Sequence, residues 1–232
     1  MYVQHAGALW RDFPELAPAV LHAEGITPDV PADRRIAAYT ARATDRLAAV
    51  GSEGQLPEIQ AWRRAFSRMG LKPTQYRCAS ESLLRRLRRE GSLPRIHPLI
   101  DLCNAVSVAY AIPVGVFDVS ALAPPSLEVR YAHGDETYVT FGGEKENPAP
   151  GEVIYADREG QAHSRRWTNR QSGASAVREE TSSVLIIAEA VHGTGAEDVR
   201  RLADTLAAEL TALWNTTPRT ALLSRTAPRF DA

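Results

Sequence analysis

A chain of 232 residues, 44% hydrophobic and 24% charged, carries enough apolar material for one large domain and too much for a disordered or fibrous segment. Its 27 Lys and Arg are balanced by 28 Asp and Glu, which excludes the global positive field of a protein that grips nucleic acid without preference, so any RNA contact is expected to be local. Two cysteines, Cys78 and Cys103, with no C-x-x-C and no His cluster, exclude a disulfide framework and a zinc site, and no metal or cofactor is expected.

The first ten residues, Met1 to Trp10, lack the basic start and long apolar stretch of a signal peptide, and no apolar run reaches about 18 residues. The expectation is a cytoplasmic protein, neither exported nor inserted in a membrane. From Asp33 to Val50 the residues Ile36, Thr40, Ala43, Leu47 and Val50 recur at helical spacing, with Asp33 placed to cap. Gly51 to Gln55 reads as loop. A second helix is predicted from Pro57 to Met69, with Ile59, Trp62, Phe66 and Met69 on one face and Gly70 ending it.

Ser80 is placed to cap a short helix that carries Leu83, Leu84 and Leu87 and ends at Gly91. Arg85, Arg86, Arg88 and Arg89 cover its other faces: a solvated face in one reading, a phosphate-contacting patch in the other. Leu99, Cys103, Val106 and Tyr110 predict a largely buried helix from Pro98 to Ala111, closed by Pro113. Asp101 and Asn104 share one side of that helix and either fix it to a sheet or reach into a pocket.

Beyond Pro113 the texture turns to short β-type runs at Val114–Val119, Leu127–Tyr131, Thr137–Phe141, Glu152–Tyr155, His163–Trp167 and Val184–Ala188. A mostly antiparallel sheet or partial barrel is expected there. A final helix is predicted from Thr194 to about residue 214, where Thr194 and Glu197 have capping-box spacing and Val199, Leu202, Leu206, Leu210 and Leu213 form the buried stripe. The tail beyond Asn215 is expected to lie on the surface. Helices around a strand-rich middle define an α+β class, and one domain over residues 1–232 is the simplest organisation.

No G-x-G-x-x-G, Walker-type loop, G-x-S-x-G or H-E-x-x-H occurs, which argues against nucleotide-driven, serine-hydrolase and zincin chemistry. Both cysteines read as inert, Cys103 as core. The most unusual stretch is Arg165-Arg166-Trp167-Thr168-Asn169-Arg170-Gln171-Ser172. In a functional reading Asn169 and Arg170 bind a small molecule and Trp167 offers a stacking face; in the plainer one Trp167 anchors a solvated turn. Asp118, in a Phe-Asp pair closing a strand, either binds a substrate amine or caps a turn.

Several segments, in order and at characteristic spacing, carry a family resemblance. They are Gly70-Leu71-Lys72-Pro73-Thr74-Gln75-Tyr76, Ser80-Glu81-Ser82-Leu83-Leu84-Arg85-Arg86, Leu93-Pro94-Arg95-Ile96-His97-Pro98-Leu99-Ile100-Asp101-Leu102-Cys103-Asn104 and Val116-Phe117-Asp118. Leu127–Ala132, Gly134–Glu136, Gly151–Asp157 and Thr181 continue the series. Together, over roughly residues 60 to 190, they resemble the B3/B4 domain of the phenylalanyl-tRNA synthetase β subunit.

In that family the module hydrolyses the ester of mischarged tRNA, typically tyrosine in place of phenylalanine. The resemblance therefore implies a stand-alone relative acting in trans, with tRNA and an amino acid moiety as partners and a monomeric or dimeric state. The functional reading of the residues, set on that resemblance, places Thr168, Asn169 and Thr181 as the catalytic group, Asn104, Asp118, Trp167, Arg170 and Glu189 as substrate contacts, and Arg85, Arg86, Arg88 and Arg89 as a tRNA surface; the Arg165–Ser172 run stands where the family has a glycine-rich loop. The family's pocket histidine is replaced at about Gly115. The glutamate that reads the tyrosine hydroxyl is matched about two residues late by Glu189, a shift that strand period two leaves on the same face. A binding module without chemistry is the alternative.

Overall fold

A computed structural model describes all 232 residues. In chain order the strands are β1 (Tyr2–His5), β2 (Ala17–Glu24), β3 (Val114–Asp118), β4 (Ser126–Tyr131), β5 (Thr137–Val139), β6 (Lys145–Glu146), β7 (Val153–Asp157), β8 (Gln161–Arg165), β9 (Arg170–Gln171), β10 (Ser183–Ala190), β11 (Arg219–Leu222) and β12 (Arg229–Asp231). The helices are α1 (Gly7–Asp12), α2 (Asp33–Val50), α3 (Pro57–Arg68), α4 (Ala79–Glu90), α5 (Pro98–Tyr110) and α6 (Gly195–Trp214). The class is α+β.

The strands form two sheets, where the sequence suggested one. The larger runs β12-β1-β4-β7-β8-β5-β6 with β9 beside β8, antiparallel except for β1–β4 and β5–β8. The smaller, β11-β2-β10-β3, is antiparallel throughout. Val3, Leu127, Val129 and Val153 of the larger sheet meet Val20, Phe117, Leu185 and Ile187 of the smaller one in a core that α3 joins through Trp62 and Phe66. The smaller sheet's other face, with Leu21, Val116, Val184 and Ile186, packs on Leu102 and Val106 of α5 and Leu206 and Leu210 of α6. This sheet is covered on both faces, so β10 is a continuous apolar run rather than an alternating one.

The amino-terminal and carboxy-terminal segments depart most from the sequence expectation. β2 pairs with β10 along eight residues and with β11, so it lies inside the smaller sheet. Its sequence, Ala-Pro-Ala-Val-Leu-His-Ala-Glu, has small residues and a proline in place of strand periodicity. The tail beyond Asn215 lies on the surface as expected, but as the mostly exposed edge strands β11 and β12, which the sequence did not suggest.

Helix starts also differ in detail. Ala32 occupies the N-cap of α2, and Asp33 is its first residue, where its charge faces the positive end of the helix. Ser80 lies inside α4, which starts at Ala79, and donates its hydroxyl to the Ala111 carbonyl at 3.2 Å. Thr194 is the N-cap of α6, but its hydroxyl donates to Asp198 at 2.6 Å and accepts no backbone N–H. Glu53–Gln55 forms a short 3-10 turn within the expected loop. β8 ends at Arg165 because Arg166 and Trp167 take left-handed backbone angles, φ 49° and 58°. No helix is long and apolar enough to cross a membrane.

Candidate functional site

Where the free edge of β3 faces the turn between β8 and β9, a cleft opens between the two sheets. Pro113, Val114, Phe117 and Ile187 give it an apolar wall, Tyr155 and Trp167 its floor, and Thr168, Asn169, Arg170 and Gln171 a polar rim. The space enclosed, open mouth included, is about 410 Å³. Alternation along β3 and β10 makes this wall: Phe117 and Ile187 point between the sheets while Val116 and Ile186 point to the helices.

The rim is built by a tight turn. With Arg166 and Trp167 left-handed, the chain reverses so that the Asn169 N–H donates to the Arg166 carbonyl at 3.1 Å. The Asn169 side-chain amide donates to the Arg77 carbonyl at 2.7 Å, and Ala79 N–H donates to the Thr168 carbonyl at 2.7 Å. These bonds tie the rim to the start of α4. Gln171 donates to the Val116 carbonyl at 2.5 Å, capping an outward group of the β3 edge. The Thr168 hydroxyl is buried and has no hydrogen-bond partner. The oxygen is wholly enclosed, so a group in the cleft would meet this unpaired hydroxyl only after the Thr168 side chain rotates toward it.

Beneath the floor lies a buried polar cluster. Glu189, 1% exposed, receives the Trp167 indole N–H on both oxygens at 2.9 and 3.0 Å, meets His5 Nε2 at 2.6 Å, and accepts the Tyr155 hydroxyl. Burial and the adjacent carboxylate hold the Tyr155 phenol well above its ordinary titration range, so it stays a neutral donor. Trp167 is wholly buried, its ring meeting Phe13 and Trp62 edge-on at centroid distances of 4.8 and 5.0 Å. It therefore offers no stacking face to a base; it anchors the turn that carries Thr168 and Asn169.

The structure brings Thr168, Asn169 and Arg170 together at the cleft, with Trp167 and Glu189 in layers behind. Arg170 bonds Glu146 at 3.2 Å and lies over the Tyr138 ring at 5.3 Å. Other residues stand apart. Asp118 is four residues along β3 from Val114, roughly 13 Å away; it accepts the Ser120 N–H at 2.8 Å and the Thr181 hydroxyl at 2.5 Å. Thr181 and Asp118 thus clip the far end of β3. Asn104 lies on α5, on the opposite side of the smaller sheet from the cleft. Its neighbour Asp101 accepts the Ile96 N–H at 2.8 Å and pairs with Arg95, fixing a loop rather than a sheet.

The four arginines of α4 run from roughly 9 to 15 Å beyond Ala79 at the cleft mouth. Arg88 pairs with the buried Glu53 at 2.7 Å, with Arg85 also beside it at 3.5 Å, and Arg86 pairs with Glu90 at 2.9 Å. Arg89 is exposed without an ion pair. Closer to the cleft lie Arg77 and Arg166, the latter over the Tyr76 ring at 4.5 Å.

At Gly115 a Cβ would meet the far end of the Phe117 ring at 3.1 Å. Phe117, stacked on Tyr155 at 5.3 Å, occupies the wall beside that glycine. Sequence reasoning missed His5, Tyr155, Phe117 and Gln171. The inward position of Tyr155 was readable from β-strand alternation with Val153; His5 lies in a segment with no strand signal.

A two-sheet α+β domain with a cleft beside the edge of β3 is thus the class to which this chain is assigned. A family model described as "B3/4 domain" matches residues 61–208, and the chain belongs to that family. It is 33% identical over 122 residues to the phenylalanine–tRNA ligase beta subunit of Shouchella clausii, covering 52% of this chain and 15% of that subunit. The corresponding subunit of Carboxydothermus hydrogenoformans is 34% identical over 77 residues, covering 33% of this chain and 10% of that one. The alignments thus span a small part of these curated relatives. An N-terminal fragment of the phenylalanyl-tRNA synthetase beta-subunit from Pyrococcus horikoshii aligns structurally with a TM-score of 0.49 and 13% identity, over 94% of this chain and 50% of that one.

Proposed function

We propose that this protein hydrolyses the ester of a mischarged tRNA in trans, with the aminoacyl group in the cleft beside β3. The observation that carries the reading is the buried, unpartnered Thr168 hydroxyl beside Asn169, in the wall of a cleft held by a B3/4 domain. An aminoacyl ester is activated, so its hydrolysis needs a held substrate, a positioned water and donors for the developing oxyanion. Thr168 donates to that oxygen, Asn169 and Arg170 orient the ester and terminal adenosine, and the neighbouring ribose hydroxyl relays the proton. Arg77, Arg166 and Arg89 meet backbone phosphates. A cytoplasmic location accompanies this role.

The second reading is a binding module without chemistry. Glycine in place of the expected histidine favours it, as does the engagement of Tyr155 and Glu189 with each other, which leaves the cleft no free carboxylate or imidazole. Deacylation of a panel of mischarged tRNAs separates the two. Thr168→Val, nearly isosteric, is expected to lower the rate by about 10²-fold or more, and the Asn169→Ala, Arg170→Ala double variant to lose saturable turnover. A folded wild type no faster than buffer on every pair would leave the binding reading alone.

A further inference from the structure

On the solvent side of α3, Arg63, Arg64, Ser67, Arg68 and Pro73 line an open groove with no apolar side chain other than the proline. The four α3 residues stand at i, i+1, i+4 and i+5, two neighbouring rows about 6 Å long on the helix surface, outside the buried stripe of Ile59, Trp62 and Phe66. Two chains of contact tie this groove to the rim of the cleft. Arg63 and Arg77 meet the same Glu81 oxygen at 2.6 and 3.5 Å, and the Arg77 carbonyl holds the Asn169 side chain. Arg68 lies over the Phe13 ring at 5.2 Å, and Phe13 meets Trp167, the anchor of the rim turn. Lys72, exposed beside Pro73, and Arg166, over the Tyr76 ring, extend the positive surface toward the cleft.

The side chains of Arg64, Lys72 and Arg166 bond no carboxylate, and those of Arg63, Arg68 and Arg77 meet only the buried Glu81 and Glu15. On α4, by contrast, Arg85, Arg86 and Arg88 are matched by Glu53 and Glu90. Surplus positive charge therefore runs from the rim along α3. Guanidinium forks fit phosphate oxygens, and a groove without an apolar lining gives a hydrophobic peptide or acyl chain nothing to bury. Resting on the proposed aminoacyl site, we infer that the α3 groove and Lys72 hold the phosphodiester backbone of the acceptor stem whose 3′ end enters the cleft, so that the main RNA track follows α3.

The test is the salt dependence of binding, followed by fluorescence anisotropy, of a labelled RNA minihelix: a tRNA acceptor stem closed by a loop and carrying its 3′ CCA. Each phosphate contact adds roughly 0.7–0.9 to the slope of log K against log salt, so Arg64→Gln with Lys72→Gln, which breaks no ion pair, should lower the slope by about 1.4–1.8. Arg64→Lys, which keeps the charge, should retain the wild-type slope, and so should Arg86→Gln on α4. A fall smaller than one contact, under about 0.7, or an equal fall for Arg86→Gln, overturns the inference, as does a wild type that does not bind the minihelix. Deacylation of mischarged tRNA by the wild type is read separately. Turnover with an unchanged slope in the double variant keeps the hydrolytic reading and rejects the groove; the predicted slopes without turnover keep the groove and remove the hydrolysis.

Discussion

Replacing Glu189 with alanine strands three buried donors at once: His5 Nε2, the Tyr155 hydroxyl and the Trp167 indole N–H. An unsatisfied buried donor costs about 1–3 kcal/mol, so the change should cost roughly 3–9 kcal/mol, with the lower end reached if water enters the space the side chain leaves. Against a total stability of about 5–15 kcal/mol, that is a large fraction. Glu189→Gln keeps one acceptor oxygen and the volume, and His5 or Tyr155 can turn an acceptor toward the new amide, so it should cost about 1–3 kcal/mol. Urea unfolding followed by tryptophan fluorescence and circular dichroism measures both. The reasoning is refuted if alanine costs under about 1 kcal/mol, or if glutamine costs more than alanine.

Three further outcomes follow from the same contacts. Glu136 is held at about 2 against an ordinary 4.5: burial alone would raise it, but the N–H groups of His133 and Gly134 and the Arg130 guanidinium outweigh burial. Its charged form therefore stabilises the fold above about pH 4.5 and loses that effect as pH falls toward 2, up to about 3 kcal/mol; the stability gap between wild type and Glu136→Gln in urea should close over that window. Arg88→Ala removes the closest partner of the buried Glu53 and should lower the urea midpoint, whereas Arg89→Ala, which breaks no ion pair, should leave it unchanged. Burial raises the Cys78 and Cys103 thiols to about 12, so a thiol reagent at pH 8 should label native protein far more slowly than unfolded protein.

The helices with strong periodicity, from Asp33, Pro57, Pro98 and Thr194, are legible in the sequence because each carries an apolar stripe against the smaller sheet or the inter-sheet core. β2 is not, because a strand buried on both faces shows no alternation, and Pro18 argues against it locally. β1 and β12 are short, and their strand character comes from pairing with β4 and with each other. At the site, the stretch from Trp167 to Arg170 stands out by composition and does form the rim. What the sequence could not tell is direction. Trp167 reads equally as a stacking platform or an anchor until Glu189 is placed behind it, and Asn104 and Thr181 read as pocket groups until the sheet separates them from the cleft.

In the proposed function the aminoacyl end of tRNA occupies the cleft between β3 and the Thr168 turn. The most direct measurement is amide chemical-shift mapping of the labelled protein with a non-hydrolysable 3′-amide analogue of tyrosyl-adenosine. Saturable shifts concentrated at Val114–Phe117 and Thr168–Gln171 are the predicted result. Shifts confined to another surface, such as the groove of Arg34, Arg35 and Tyr39 between α2 and α6, or no shifts at saturating ligand, would contradict it.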